Sequence, residues 1–283
     1  MLAARLSTHP DIDAPSVKEP NYFSRHYAEG PKWYDDFFPA RSPGRYRLDA
    51  SVSYTYPQHP EALARIAADA PDASIVYVVR EPVQRAVSHY LFYRYYFQRD
   101  PAPDFGSAIR RDPYYLEVSD YEHWLGRLAG VFPRDRTLVV PFAAVTESSQ
   151  DVAAVICRRL GLQPPPAVDH EVDIHQNNTV SFRSDRVRRM TRAMRHSSVY
   201  PRLRRAIGPY TMRRIRSAVT TTPQMPTAQE ALASCDADQL ATLRDLRDRA
   251  DSAVTAWLVE QDAASGLQWS SHWSRTGPSV DPA

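Results

Sequence analysis

The sequence predicts an α/β fold: a parallel sheet flanked by helices, with a mainly helical C-terminal part. Three observations lead there. Two short apolar runs rich in β-branched residues, Ser74–Val79 (SIVYVV) and Thr137–Val140, have the composition of buried strands. Stretches with helical periodicity separate them, and that alternation is the pattern of parallel α/β sheets. Beyond Pro164–Pro166 no strand-like run follows. The 283 residues, 43% of them hydrophobic, suffice for one large α/β domain or one domain with a helical extension.

The elements follow in order. Residues 1–9 have helical spacing with Leu2 and Leu6 on one face, and Pro10 ends the run. A loop through Asp11–Lys18 leads to the aromatic pair Tyr22–Phe23, and a second aromatic cluster, Trp33–Phe38, reads as a short helix. Tyr46–Ser51 fits a short strand, and Pro60 opens a helix over Glu61–Ala70. Ser74–Val79 is continuous and β-branched, so it is expected to be buried on both faces. Pro82 starts a helix to about Tyr96, Tyr115–Leu128 reads as one amphipathic helix, and Thr137–Val140 is the second buried strand. Gln150–Leu160 is a helix that Gly161 closes at its C′ position. Further helices are expected at 184–196 and 200–218, a Pro/Thr-rich linker at 220–227, and a long helix from 236 to 260. The tail, 270–283, is rich in Ser, Gly and Pro and is expected to be disordered.

Composition narrows the function. A formal net charge of +2 does not point to nucleic acid, and no apolar stretch approaches the roughly 20 residues that span a bilayer. Cys157 lies in an apolar run, which favours a free core thiol over a bridge to Cys235, and the residues carry no charged leader followed by an apolar segment. A cytoplasmic protein is the expectation. Lys18 and Lys32 are the only lysines, so any chemistry that needs one has two candidates. His170, Asp173 and His175 lack a convincing third ligand, and no metal is expected. The arginine-dense segment 183–216 carries an apolar stripe at Val187, Met190 and Met194; it fits both a solvated helix packed on the core and a basic face for an anionic surface.

The strongest chemical signal is Arg80-Glu81-Pro82-Val83-Gln84-Arg85-Ala86-Val87-Ser88-His89-Tyr90. Ligands of parallel α/β sheets bind beyond the carboxyl ends of the strands, and Arg80 is the first residue past one. Ser88 lies two turns into the following helix. A guanidinium fork and a hydroxyl together suit a phosphate; the same residues also fit a loop-capping arginine and a solvated serine.

This run resembles the 3′-phosphate-binding segment of sulfotransferases, and other stretches agree in order. His9-Pro10-Asp11-Ile12 followed by Lys18-Glu19-Pro20-Asn21-Tyr22-Phe23 is similar to the corresponding stretch of bacterial and heparan-sulfate-type members, Asp49-Ala50-Ser51-Val52-Ser53-Tyr54 to their E-x-S-P-x-Y, and Gly266-Leu267-Gln268-Trp269 to their closing Leu-x-Trp. The resemblance implies a P-loop NTPase-like parallel sheet in a single domain over 1–269, with an α/β core at 1–163 and a mainly helical part at 164–269. It implies sulfuryl transfer from 3′-phosphoadenosine-5′-phosphosulfate to a hydroxyl or amine of a carbohydrate-like or small-molecule acceptor. Arg80 and Ser88 would hold the 3′-phosphate, Glu19 would be the general base, and Lys18 would stand near the transferring group or orient Glu19. Some relatives carry a histidine two residues after the glutamate; Asn21 stands there instead. Relatives also begin with a strand and a K-x-G-T-T loop that wraps the 5′-phosphosulfate, whereas this sequence begins in the helix after it. The expectation is therefore a chain truncated before that loop, with a sulfotransferase-like pseudoenzyme or binding protein, one that holds an acceptor or partner without transfer, as the alternative. No G-x-x-x-x-G-K-[ST] run is present, which disfavours a kinase or NTPase.

Overall fold

The computed structural model describes residues 1–39, 44–166, 181–182, 220–221 and 225–273. Its strands bear out the parallel expectation where the apolar runs lie. Ile12–Asp13 (β1) pairs in parallel with Tyr46–Arg47 (β2), and Ile75–Val79 (β3) pairs in parallel with Thr137–Pro141 (β4), Ile75 opposite Thr137 and Val79 opposite Pro141. β1 falls inside the stretch expected to be loop. Ser181–Phe182 (β5) and Thr220–Thr221 (β6) form an antiparallel pair, so strands do not stop at Pro166, and β6 occupies the start of the expected linker.

β4 is buried along its whole length, but β3 is not: Val78 is 38% exposed and only Val79 is fully covered. The cause is the neighbourhood of each strand. β4 lies between β3 and the long helix Ala237–Ser265, whose Gln261 accepts the Val139 N–H (2.9 Å) and donates to the Val139 carbonyl (3.0 Å). That amide satisfies both ladder groups of Val139, which an apolar side chain would leave bare. β3 has no strand partner on its second edge among the described residues.

The remaining α-helices among the described residues are α1 Leu2–Leu6, α2 Pro31–Asp35, α3 Ala62–Asp69, α4 Pro82–Leu91, α5 Phe105–Arg111, α6 Tyr114–Glu117, α7 Tyr121–Val131, α8 Phe142–Glu147, α9 Ser149–Arg159 and α10 Ala228–Leu232; Ala237–Ser265 is α11. The single helix expected over Tyr115–Leu128 is two. Val118 and Ser119 are fully buried between them, and Asp120 caps α7 by accepting the His123 N–H, which starts a new helix there. Gly161 adopts φ +68 after α9, as a C′ glycine does. A turn at Trp269–His272 reaches into the expected tail, and the Trp273 ring N–H donates to Asp251. The expected helices at 184–196 and 200–218, and His170, Asp173 and His175, lie outside the described residues.

Two apolar clusters result. One surrounds β3 and β4 with residues of α1, α3, α7, α9 and α11; the other joins α4, α5, α6 and α10 and includes Tyr90, Phe105 and Leu243. α4 therefore hangs from the carboxyl end of β3 with one face in the second cluster, while Ser88 is exposed on it.

Candidate active site

Arg80 follows β3 directly. Its backbone N–H donates to the Tyr121 hydroxyl (3.0 Å), its Nε to Gln84 Oε1 (3.4 Å), and its guanidinium lies 5.5 Å from the Phe142 ring centre. Burial pulls its pKa below the usual arginine value, opposed by Tyr121 and Glu81. The adjacent Glu81 is engaged elsewhere: it caps α4 by accepting the N–H groups of Val83 (3.2 Å) and Gln84 (2.6 Å), and it pairs with Arg247 at 2.8 Å. Arg80 thus makes no ion pair among the described residues. Gln84 and Ser88 lie four residues apart on one face of α4, and the Arg80–Gln84 bond draws Arg80 toward that face. Ser88 is exposed there. A half-buried arginine lacking a carboxylate, with an open serine about 6 Å up the same face from Gln84, is an arrangement suited to an anion.

Lys18 and Glu19 are an exposed–half-exposed pair at 3.6 Å, with side-chain exposures of 85% and 30%. The charge of Lys18 also reaches the Met1 amine, which burial and that charge hold below its usual range. The backbone here is unusual. Glu19 (φ 57) and Asn21 (φ 54) both occupy the left-handed region, on either side of Pro20. For a glutamate that conformation costs about 1–3 kcal/mol and persists only where surrounding bonds fix it.

Those bonds come from residues 49–54. The Asn21 N–H donates to Ser51 Oγ (2.9 Å), Ser51 Oγ donates to Asp49 Oδ1 (2.6 Å), and Ser53 Oγ donates to Asn21 Oδ1 (2.6 Å). Asn21 Nδ2 in turn donates to the Glu19 carbonyl (2.5 Å). Asp49 is held by the hydroxyls of Tyr34 (3.1 Å) and Tyr54 (2.5 Å), whose pKa values burial and the Asp49 charge push far up. Asn21, where some relatives have a histidine, is here a structural member of the Glu19 turn. Sequence reasoning noticed the 49–54 segment without giving it this task; the spacing of Asp49, Ser51 and Ser53 was its only signal.

The charge of Glu19 reaches the Tyr56 phenol, and the Tyr56 ring lies 5.9 Å from that of His89, the residue after Ser88. His89 is caged by Tyr56, Tyr93, Tyr114 and Tyr115, and neither ring nitrogen has a hydrogen-bond partner. Burial, then the neighbouring Arg85, lowers its pKa to about 3, so it is neutral near pH 7. His89 was not singled out from the sequence. Among the described residues no helix is long and apolar enough to cross a membrane.

The comparisons with known proteins converge. A family model described as "Sulfotransferase family" matches residues 2–166. Heparan sulfate glucosamine 3-O-sulfotransferase 3B1 of Homo sapiens is 40% identical over 85 residues, 30% of this chain and 21% of that protein. The membrane-associated sulfotransferase kil1 of Dictyostelium discoideum is 30% identical over 99 residues, 35% of this chain and 21% of that protein. The chain therefore spans about a fifth of the length of the curated relatives it matches. The crystal structure of a sulfotransferase from Alicyclobacillus acidocaldarius superposes with a TM-score of 0.50 at 26% identity, covering 62% of this chain and 83% of that one.

Proposed function

The chain belongs to the sulfotransferase family, and from that premise we propose that it transfers a sulfuryl group from 3′-phosphoadenosine-5′-phosphosulfate to a hydroxyl or amine of a carbohydrate-like or small-molecule acceptor. Arg80 carries the proposal. It is a half-buried guanidinium at the carboxyl end of a parallel strand, with no carboxylate among the described residues and with Ser88 open on the same face. In this reading Arg80 and Ser88 hold the 3′-phosphate of the donor.

Glu19 is the proposed general base. Its carboxylate is 30% exposed, so substrate can reach it, and its backbone is fixed by the Asn21–Ser51–Asp49 chain of bonds. A base acts only within hydrogen-bond reach of the proton it removes, and a rigid turn maintains that reach. Lys18 pairs with the Glu19 carboxylate at 3.6 Å and leaves most of its own side chain in solvent, where it can stand near the transferring group. Transfer of this type is in-line through a loose transition state, and the protein contributes position and charge. The name of the human relative specifies heparan sulfate glucosamine, which favours a carbohydrate hydroxyl for this chain as well.

The test is direct transfer of labelled sulfate from the donor onto a panel of sugars, phenols and amines. Label appearing on one acceptor class supports the proposal. A protein that binds the donor yet labels nothing, under conditions where a known sulfotransferase labels its own acceptor, contradicts it.

A further inference from the structure

We propose that the cleft walled by Tyr56, Tyr93 and Tyr114 is the acceptor site, shaped for a single hydroxylated ring that carries one anionic substituent. The proposal rests on the sulfuryl-transfer reading and adds the acceptor to it. The cleft holds about 330 Å³, at the low end of the roughly 300–1,000 Å³ of small-molecule sites. That volume admits a ring with its substituents rather than several units of a chain.

Its charge is biased. Arg25, Arg99 and Arg111 line it together with Asp100 and Asp112, three cations against two anions. Asp100 is saturated: it accepts from Arg111 (2.9 Å), from the Ala102 N–H (2.8 Å) and from the Tyr115 hydroxyl (2.5 Å). His59, also in the lining, is kept neutral near pH 7 because burial, Arg25 and Arg65 lower its pKa. Arg25 and Arg99 are left exposed and without an ion pair among the described residues, so the cleft offers two guanidinium forks to an anionic group.

The walls supply the rest. Tyrosine faces stack on sugar C–H surfaces and on aromatic rings alike. Behind them His89 packs against Tyr56, Tyr93 and Tyr114. Arg25 of the lining donates its backbone N–H to the Asn21 carbonyl (2.9 Å), which ties the cleft to the turn that carries Glu19.

The experiment is an NMR titration of the full chain with two pairs of rings, 4-hydroxybenzoate against phenol and glucuronate against glucose, with 3′-phosphoadenosine-5′-phosphate titrated separately. The carboxylated member of at least one pair should bind about tenfold tighter or more. The pair with the larger preference distinguishes an aromatic from a sugar acceptor. In the double variant Arg25→Ala/Arg99→Ala, two exposed positions, the preference should shrink to about twofold or less, while affinity for the nucleotide stays unchanged. Arg25→Glu/Arg99→Glu should reverse it. Equal affinity for charged and neutral rings, or a preference that survives the double variant, overturns the cleft assignment alone. A chain that shows the preference but binds no nucleotide overturns the transfer reading, and the acceptor assignment with it.

Discussion

Ser51→Ala isolates the turn that presents Glu19. The substitution removes one oxygen that accepts from the Asn21 N–H at 2.9 Å and donates to Asp49 at 2.6 Å. The first bond is between neutral groups and contributes about 0.5–1.5 kcal/mol; the second involves a carboxylate and contributes about 1.5–3 kcal/mol. Together they amount to roughly 2–4 kcal/mol, which matches or exceeds the cost of about 1–3 kcal/mol for holding Glu19 at positive φ. Without them the turn relaxes toward an ordinary backbone conformation and the carboxylate leaves its position. The expected outcome is a loss of roughly 2–4 kcal/mol in urea unfolding and a fall in kcat of about 10- to 100-fold. Affinity for 3′-phosphoadenosine-5′-phosphate should remain within about twofold, because Arg80 and Ser88 are untouched. Ser51→Thr keeps the hydroxyl and should restore most of kcat. A variant that loses stability but keeps kcat within about twofold would show that the turn serves folding and not the placement of a base.

Glu19→Gln is nearly isosteric and should lower turnover by at least about 10², with nucleotide affinity unchanged; a fall of less than about threefold removes Glu19 from the role of base. His89 gives a prediction in pH. Its folded pKa of about 3 lies below the unfolded value of about 6.5, so the unfolded chain binds the extra proton between those values. Stability should therefore fall as pH drops below about 6.5, with a contribution of up to about 1.4 kcal/mol per unit. His89→Phe should remove that part of the slope; an unchanged slope from pH 7 to 4 in chemical unfolding would mean that His89 is not buried neutral.

What could be read from the sequence was what is local. β3 and β4 announce themselves as β-branched runs, and the strand–Arg–helix connection places Arg80 and Ser88 without knowledge of anything distant. The fold class followed from those runs, and the superposed sulfotransferase structure agrees with it. The burial of β3 on both faces could not be read, since a β-branched strand has the same composition whether its second edge is covered or bare. The break at Val118–Asp120 was legible in principle from Asp120 at the N-cap, but the apolar periodicity runs through it and masks it. The tie between Asn21 and Ser51 spans 30 residues and depends on serine hydroxyls, which carry no periodic signal. His89 fell to the same limit: its cage is assembled from Tyr56, Tyr93, Tyr114 and Tyr115, which only the fold brings together.

The donor assignment is the centre of the account, and calorimetric titration of 3′-phosphoadenosine-5′-phosphate into the parent chain and into Arg80→Ala tests it most directly. Arg80 makes no ion pair among the described residues, so its removal breaks no carboxylate contact there, only the long bond to Gln84 and the packing on Phe142. A lost charge-assisted bond is worth about 1.5–3 kcal/mol, so the account predicts binding weaker by roughly 10- to 100-fold in the variant. Equal affinity in the two proteins would contradict it.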